Sequence, residues 1–465
     1  MIDINMEMLE FRLKQAIDSI GPNENFKLIS ITKQIEQNNP LQIFEGAKVL
    51  RKDRFYWASA DRNLIFTGVG KVQILVADEN RFTHTEEQWK TLLKNARIDN
   101  PYQSVPGTGI VAFGGMAFDP LEERTSLWGE FKQSQFNIPE FMFTNYKNNY
   151  YLTMNLLASK SANAGMLADQ LQVMGKDFLN REVFVPQDLR IEKETEIDPM
   201  KWKQSVRQAT EEIKEEKAEK IVLAREVRLH FNQQANIASV IQKLSETQRT
   251  SYVFAFENEG DCFIGATPER LVKVEENILL STCLAGTAPR GKTVEEDRKI
   301  GKHLLMDNKN RQEHEFVVNR IKNGLLKSCE NIEIPKEPVL LTLENLQHLY
   351  TPVTGQLMEG YTIFNIIEEL HPTPALGGTP TKESLAFIRE HELLDRGWYG
   401  APIGWVDSNH NGEFAVAIRS GLIQGDEASL FAGCGIVADS EPEMEYEETK
   451  IKLLPMLNVL GGQSE

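Results

Sequence analysis

The last fifty residues carry the densest set of groups capable of chemistry. Gly433-Cys-Gly-Ile-Val-Ala-Asp-Ser-Glu-Pro-Glu-Met-Glu-Tyr-Glu-Glu-Thr-Lys-Ile-Lys452 reads as a short apolar strand with two glycines, a Ser-Glu-Pro helix start and an acidic helix. Residues three or four apart share a helix face, so Glu441, Glu445, Glu448 and Lys452 project together. Tyr446, Leu453, Leu457 and Leu460 form a second face that would pack the helix down. Two carboxylates at this spacing can hold a hard divalent cation, and a lysine beyond them an anion. The same carboxylates could instead be a solvated first turn that complements the helix dipole.

Other stretches offer partners for such a site. In Gly265-Ala-Thr-Pro-Glu-Arg270 a strand ends at a Thr-Pro corner that presents Glu269, or else a surface Glu–Arg pair. In Leu284-Ala-Gly-Thr-Ala-Pro-Arg-Gly291, Gly286 and Thr287 offer N–H groups and a hydroxyl that could bind a carboxylate, though the glycines and proline also suit an ordinary loop. Glu313, on a long helix, lies beside an apolar stripe with Asn310, Phe316 and Val317, and becomes a metal ligand only if it meets the C-terminal carboxylates. His348 sits in the strand-like His-Leu-Tyr-Thr-Pro-Val-Thr-Gly355 as a hydrogen-bonded core residue or a substrate contact. His371-Pro-Thr-Pro-Ala-Leu-Gly-Gly-Thr-Pro380 is a Pro/Gly-dense loop that lines a site or crosses the surface. Arg419 is expected in an apolar alternating strand, where an unpaired guanidinium would be costly, so it should meet an anion.

These groups must be positioned by the rest of the chain. Residues 1–160 alternate mostly as antiparallel hairpins (55–60 with 63–68, 141–146 with 150–156) around a glycine-rich strand at 109–118, with a helix at 1–20 and a strand at 28–32. The polar, Pro-containing 180–200 reads as a linker. Beyond it come a helix at 202–217, a strand at 220–230, strand pairs at 251–257/262–266 and 270–275/277–283, one long helix at 294–327, a shorter one at 362–370, and strands at 398–406, 413–422 and 427–437. Short connections between successive strands predict antiparallel sheets with helices grouped apart, the α+β class.

With 51 Lys and Arg against 68 Asp and Glu, the net charge of −17 argues against nucleic acid and anionic membranes as partners. The four cysteines have no zinc or disulfide spacing. There is no signal-peptide pattern at Met1 and no apolar run of membrane-spanning length, so a soluble, cytoplasmic protein is expected.

Taken in order, Lys220-Ile-Val-Leu-Ala-Arg225, Gly-Ala-Thr-Pro-Glu-Arg, Leu-Ala-Gly-Thr, Arg-Gln-Glu-His, His-Leu-x-Thr-x-Val-x-Gly, Tyr-Gly-Ala-Pro-Ile-Gly, Ala-Ile-Arg and Gly-x-Gly-Ile-Val-Ala-Asp-Ser…Glu-x-x-Glu-Thr resemble the chorismate-utilising enzymes. The motifs are dense over residues 200–455 and sparse before. The resemblance implies one large α+β unit, two antiparallel sheets packed face to face with helices outside. Within it, residues 1–190 are a mostly sheet N-terminal half and 200–458 the chorismate-binding catalytic region. Members that use ammonia carry Gln where this chain has Lys220; members that add water carry Lys. Lys220, and Ala375 in the Pro-Ala-Leu-Gly-Gly loop, therefore place the chain nearest the isochorismate synthases, the menaquinone-specific type by overall resemblance. Alternatives are a salicylate synthase, which goes on to eliminate pyruvate, an isochorismate synthase of a catechol siderophore pathway, or a non-catalytic chorismate-binding protein.

The resemblance assigns Lys220 as general base and Glu269 as general acid, with the lysine neutral and the carboxyl protonated. It implies Mg²⁺ held by Glu313, Glu448 and Glu445, the last directly or through a water, and it drops Glu441. Arg419, Tyr399, Lys452 and the N–H groups near Gly433 and Gly435 would hold the enolpyruvyl carboxylate. Gly286 and Thr287 would hold the ring carboxylate, and His348 would lie near the leaving hydroxyl. No amidotransferase subunit is expected.

Overall fold

Short polar turns force neighbouring strands to pair. Phe141–Tyr146 and Asn149–Ala158 are antiparallel across Lys147 and Asn148, both at positive φ (49° and 62°), the turn whose twist matches a hairpin. Arg54–Ala58 pairs in the same way with Leu64–Val69. In this computed structural model, which describes residues 6–22, 24–122, 124–179, 186–342 and 346–462, such hairpins merge into a twelve-stranded and a ten-stranded sheet. Among the described residues every strand pairing is antiparallel except the short one between Lys27–Ile35 and Arg97–Asp99.

Both sheets are built from both ends of the chain. Arg54–Ala58 pairs with Tyr252–Asn258 in the larger sheet, and Val111–Met116 with Pro402–Asp407 in the smaller. Their facing sides enclose an aromatic core that includes Trp57, Phe113, Phe254, Trp398, Trp405 and Phe431. Each such side chain contributes on the order of 2–3 kcal/mol by leaving water. Helices cover the outer faces. Ile241, Leu244, Leu453 and Met456 pack on the larger sheet, and Leu325, Phe364 and Ile367 on the smaller. The α+β arrangement of two sheets face to face with helices outside is thus the fold.

Four local expectations change. The helix expected over 294–327 is two helices, Val294–Met306 and Asn308–Leu325, because Asp307 takes an extended backbone and caps the second by accepting from Asn310 N. Within the expected linker, 180–185 lie outside the described residues, and Ile191–Glu196 is an edge strand against Ile221–Phe231. Its solvated faces leave no apolar alternation to read. The Pro/Gly loop contains a helical turn, Pro374–Gly377. The strand expected over 413–422 is two strands, Gly412–Val416 and Ser420–Gln424, which belong to different sheets. Of the expected first helix, Met6–Asp18 is described, and 1–5 lie outside the described residues.

Candidate active site

Two crossings of the chain between the sheets lie side by side. Asp261–Thr267 belongs to the larger sheet and Arg270–Glu275 to the smaller, so Pro268 and Glu269 form the crossing. Ala417 to Arg419 make the reverse crossing, from Gly412–Val416 to Ser420–Gln424. Val416 N donates to Glu269 O and Ala266 N to Arg419 O, each at 3.0 Å. Arg419 therefore sits at a kink with φ 51°, a left-handed backbone unusual for a residue with a side chain, and not inside an alternating strand as expected. Its guanidinium makes no ion pair or side-chain hydrogen bond among the described residues. Burial holds its pKa below the usual value, against the pull of Tyr399, Glu269 and Glu448.

Burial pushes the Glu269 carboxyl up to about 7, against the opposing pull of Arg419, Lys220 and Lys452. It is thus a proton donor poised near neutrality. The neighbouring Arg270 is not its surface partner. Arg270 Nε turns away to donate to the Tyr252 hydroxyl at 2.7 Å and to Glu413 at 3.1 Å.

Lys220 lies just before strand Ile221–Phe231, which pairs with Glu427–Ile436 so that Gly435 faces Val222. A Cβ on Gly435 would stand 2.4 Å from Lys220 Cε, so the glycine supplies the channel the lysine runs along. The Nζ is 3.5 Å from Glu313 Oε1 on the second of the two helices. Lys220 also exchanges backbone hydrogen bonds with Thr379, at 3.1 and 2.8 Å, which brings the Ala375 loop against it. Only the flexible lysine opposes a methyl at 435, so Gly435→Ala is expected to keep the wild-type melting temperature. Its kcat should fall about 100-fold, as a displaced reacting group costs. Thermal denaturation and steady-state kinetics check this; unchanged kcat would mean that the lysine's path is unimportant.

Of the face expected to pack the closing helix down, Pro442–Val459 buries Tyr446 and Leu453 and partly buries Leu457, and Leu460 is buried as the residue that caps its end. Lys452 Nζ lies 2.6 Å from Glu448 Oε1 and donates to Gly433 O at 2.9 Å. Ser440 Oγ donates to Glu445 Oε1 at 2.6 Å. Glu441 is the N-cap residue without a side-chain capping bond. The carboxylates of Glu313, Glu445 and Glu448 suit a hard divalent cation in donor type, and two of them hold a lysine ammonium as counter-charge. Among the described residues no three acidic, His or Cys side chains converge closely enough to grip an ion in this arrangement.

On the far side, Gly286 (φ 76°) is a bulge where the ladder between Ile278–Pro289 and Leu346–Leu357 shifts register. Beyond the bulge Thr287 Oγ1 and His348 Nδ1 are 2.9 Å apart. Burial, then Arg419, pushes His348 down to about 4, so its imidazole is neutral. Buried Tyr399 packs on Phe431 with ring centroids 5.3 Å apart, and burial pushes its hydroxyl up to about 12. A residue without an assigned role in the sequence reading is His314, which follows Glu313. Its buried ring meets Thr351 Oγ1 at 2.7 Å and Ala285 O at 3.1 Å, holding the Glu313 helix to the sheet. The motif contains it, but helical periodicity alone reads it as one more core residue.

Lys220, Glu269, Glu448, Lys452, Tyr399, His348 and Arg419 are thus joined by contacts or mutual electrostatic influence, with Glu313 tied in through Lys220. Thr287, Gly433 and Gly435 border them through the contacts above, Gly286 stands next to Thr287, the Ala375 loop reaches Lys220 through Thr379, and Glu445 lies one helical turn before Glu448. A cavity of about 500 Å³ bounded by Leu28, Leu75 and Leu92 involves none of these residues.

The double-sheet unit thus sets a lysine beside a protonatable glutamate and a buried arginine at its two crossings, the arrangement that the comparisons with known proteins assign to a family. The chain belongs to the chorismate-binding enzyme family, whose model matches residues 14–461. It is 44% identical over 442 residues to isochorismate synthase MenF of Bacillus subtilis, covering 94% of each chain. It is 32% identical over 466 residues to the salicylate biosynthesis isochorismate synthase of Pseudomonas aeruginosa, covering 99% of this chain and 96% of that one. The solved structure of MenF, the menaquinone-specific isochorismate synthase from Escherichia coli, superposes with a TM-score of 0.80 at 23% identity, covering 98% and 99% of the two chains. No helix among the described residues is long and apolar enough to cross a membrane.

Proposed function

We propose that this protein is an isochorismate synthase that converts chorismate to isochorismate as the first step of menaquinone synthesis. The observation that carries the reading is the grouping of Lys220 with Glu269 and Arg419, the latter two at the sheet crossings, in a chain 44% identical to an enzyme of that name. The reaction is an allylic displacement: water enters at C2, the C4 hydroxyl leaves, and the ring double bonds shift between them. Lys220 takes a proton from the attacking water. Glu269 gives its proton to the departing hydroxyl, which leaves as water. Arg419, Tyr399 and Lys452, with N–H groups near Gly433 and Gly435, hold the enolpyruvyl carboxylate. Gly286 and Thr287 hold the ring carboxylate. Neutral His348 lies near the leaving hydroxyl as a hydrogen-bonding group, and Ala375 borders the ring.

Glu313, Glu448 and Glu445 would hold Mg²⁺, the last directly or through a water; the ion, when bound, supplies positive charge to the ring carboxylate. Water as the nucleophile makes an amidotransferase partner unnecessary. Incubation of the protein with chorismate and Mg²⁺ is expected to give isochorismate, resolved by chromatography. Stoichiometric salicylate and pyruvate would make it a salicylate synthase. Anthranilate or aminodeoxychorismate formed only with ammonia would overturn the assignment of Lys220. No loss of chorismate would leave a binding protein.

A further inference from the structure

Strand Ile221–Phe231, which Lys220 immediately precedes, has a bare edge where the chemistry lies. Its neighbour on that side, Ile191–Glu196, pairs only with Val227–Phe231. Residues 220, 222 and 224 turn their backbone groups toward the bare edge, away from Glu427–Ile436, and unpaired polar backbone there would be costly. A set of side chains and loop atoms takes the place of the missing strand. Thr379 exchanges hydrogen bonds with Lys220, and Trp202 Nε1 donates to Ala224 O at 3.0 Å.

Between them stands an ion pair with side chains 0% and 1% exposed. Glu392 Oε2 accepts from Ala224 N at 2.7 Å, and Arg396 Nη2 donates to Val222 O at 2.8 Å. The two side chains lock each other through Arg396 Nε and Nη2 to Glu392 Oε1 and Oε2, at 2.6 and 2.7 Å. The same guanidinium donates through Nη1 to Leu376 O at 3.0 Å, in the turn that carries Ala375, and stacks 4.2 Å from the Phe118 ring centroid.

We infer that Glu392 and Arg396 are positioning residues that complete the edge of the lysine strand and tie it to the Ala375 turn, so that the proposed base and the loop beside it hold one geometry. The fork of Arg396 suits this, because its planar donors reach the strand, the turn and the carboxylate at once, which a lysine could not. Of the groups proposed to hold the substrate carboxylates, Tyr399 meets Arg396 through the backbone, its N donating to Arg396 O at 2.8 Å, a bond that side-chain substitutions leave in place. Their removal should therefore change kcat more than chorismate binding.

The inference rests on the proposed base role of Lys220 for its catalytic consequence, whereas its structural half can be tested without substrate. Two full-length variants are compared with wild type. Arg396→Lys keeps the charge pair and loses the fork. Glu392→Gln/Arg396→Met removes both charges together, which avoids stranding one of them in the core. Hydrogen exchange of the peptide spanning 221–226, followed by mass spectrometry, is expected to quicken in both variants while the strands at 252–267 exchange as in wild type.

With chorismate and Mg²⁺, kcat is expected to fall about 100-fold with KM within about threefold, as for a reacting group moved by an ångström. Wild-type exchange at 221–226 and wild-type kcat in Arg396→Lys would overturn the inference. So would a uniform rise in exchange across the whole chain in both variants, which would make the pair a general stabiliser. Faster local exchange in a protein whose wild type leaves chorismate unchanged would uphold the edge-completing role and overturn the enzymatic reading instead.

Discussion

Lys220→Ala is expected to lower kcat for chorismate by about 10²–10⁴-fold, the usual contribution of a positioned general base. The fold should survive, because the backbone bonds of residue 220 to Thr379 do not involve the side chain and its Nζ has only a 3.5 Å contact to Glu313. Water is too weak a nucleophile to enter C2 without losing a proton, so no other group near the ring can stand in cheaply. Steady-state kinetics with added Mg²⁺, beside thermal denaturation of the same preparation, makes the check. A variant with wild-type melting and full turnover would remove Lys220 from the mechanism and leave its passage over Gly435 as packing alone.

Glu269→Gln should have an effect of similar size, about 10²–10⁴-fold, because hydroxide leaves poorly unless it is protonated. This residue also sets a pH dependence. Its carboxyl, near 4.5 in an open chain, is held at about 7 by burial, so the proton it must give is lost as the pH rises through about 7. Turnover by the wild type should fall along that limb, and the residual activity of the glutamine variant should lack it. Stability moves with the same titration. Between about 4.5 and about 7 the folded chain holds the proton that the unfolded chain has released, so the wild type loses stability as the pH climbs through that window. Glutamine does not titrate and should melt no lower than the wild type above the window. A variant that melts lower there would show that the charged carboxylate is welcomed by Arg419, Lys220 and Lys452, and Glu269 would be an ion-pair member in place of an acid.

Much of this is legible in the amino-acid sequence. Turns, hairpins and the acidic closing helix follow from local pattern. Alternation and short polar connections determine strand pairing between neighbours, and the three-to-four spacing determines that Glu445, Glu448 and Lys452 share a face. Even Gly435, which looks like punctuation on an apolar strand, was singled out by its motif. Its physical reason is the lysine side chain that lies over it.

The rest depends on contacts between residues far apart in the chain, which local periodicity does not encode. Arg419 read as a strand residue because Glu413 to Leu422 alternates well enough. Only the pairing of Gly412–Val416 in one sheet and Ser420–Gln424 in the other makes it a crossing residue beside Glu269. The long helix breaks at Asp307 because a side-chain cap competes with one more turn, a balance too close for composition to settle. Glu392 and Arg396 are four apart and could be read as a helical pair, yet they stand beyond helix Thr381–His391 and serve the bare edge of a strand. The amino-acid sequence by itself determined the class of fold, the face of the closing helix and the kinds of group available for acid, base and cation. The tertiary structure alone decided which of them meet, because burial and charge at Glu269 and Arg419 arise only where two sheets exchange strands.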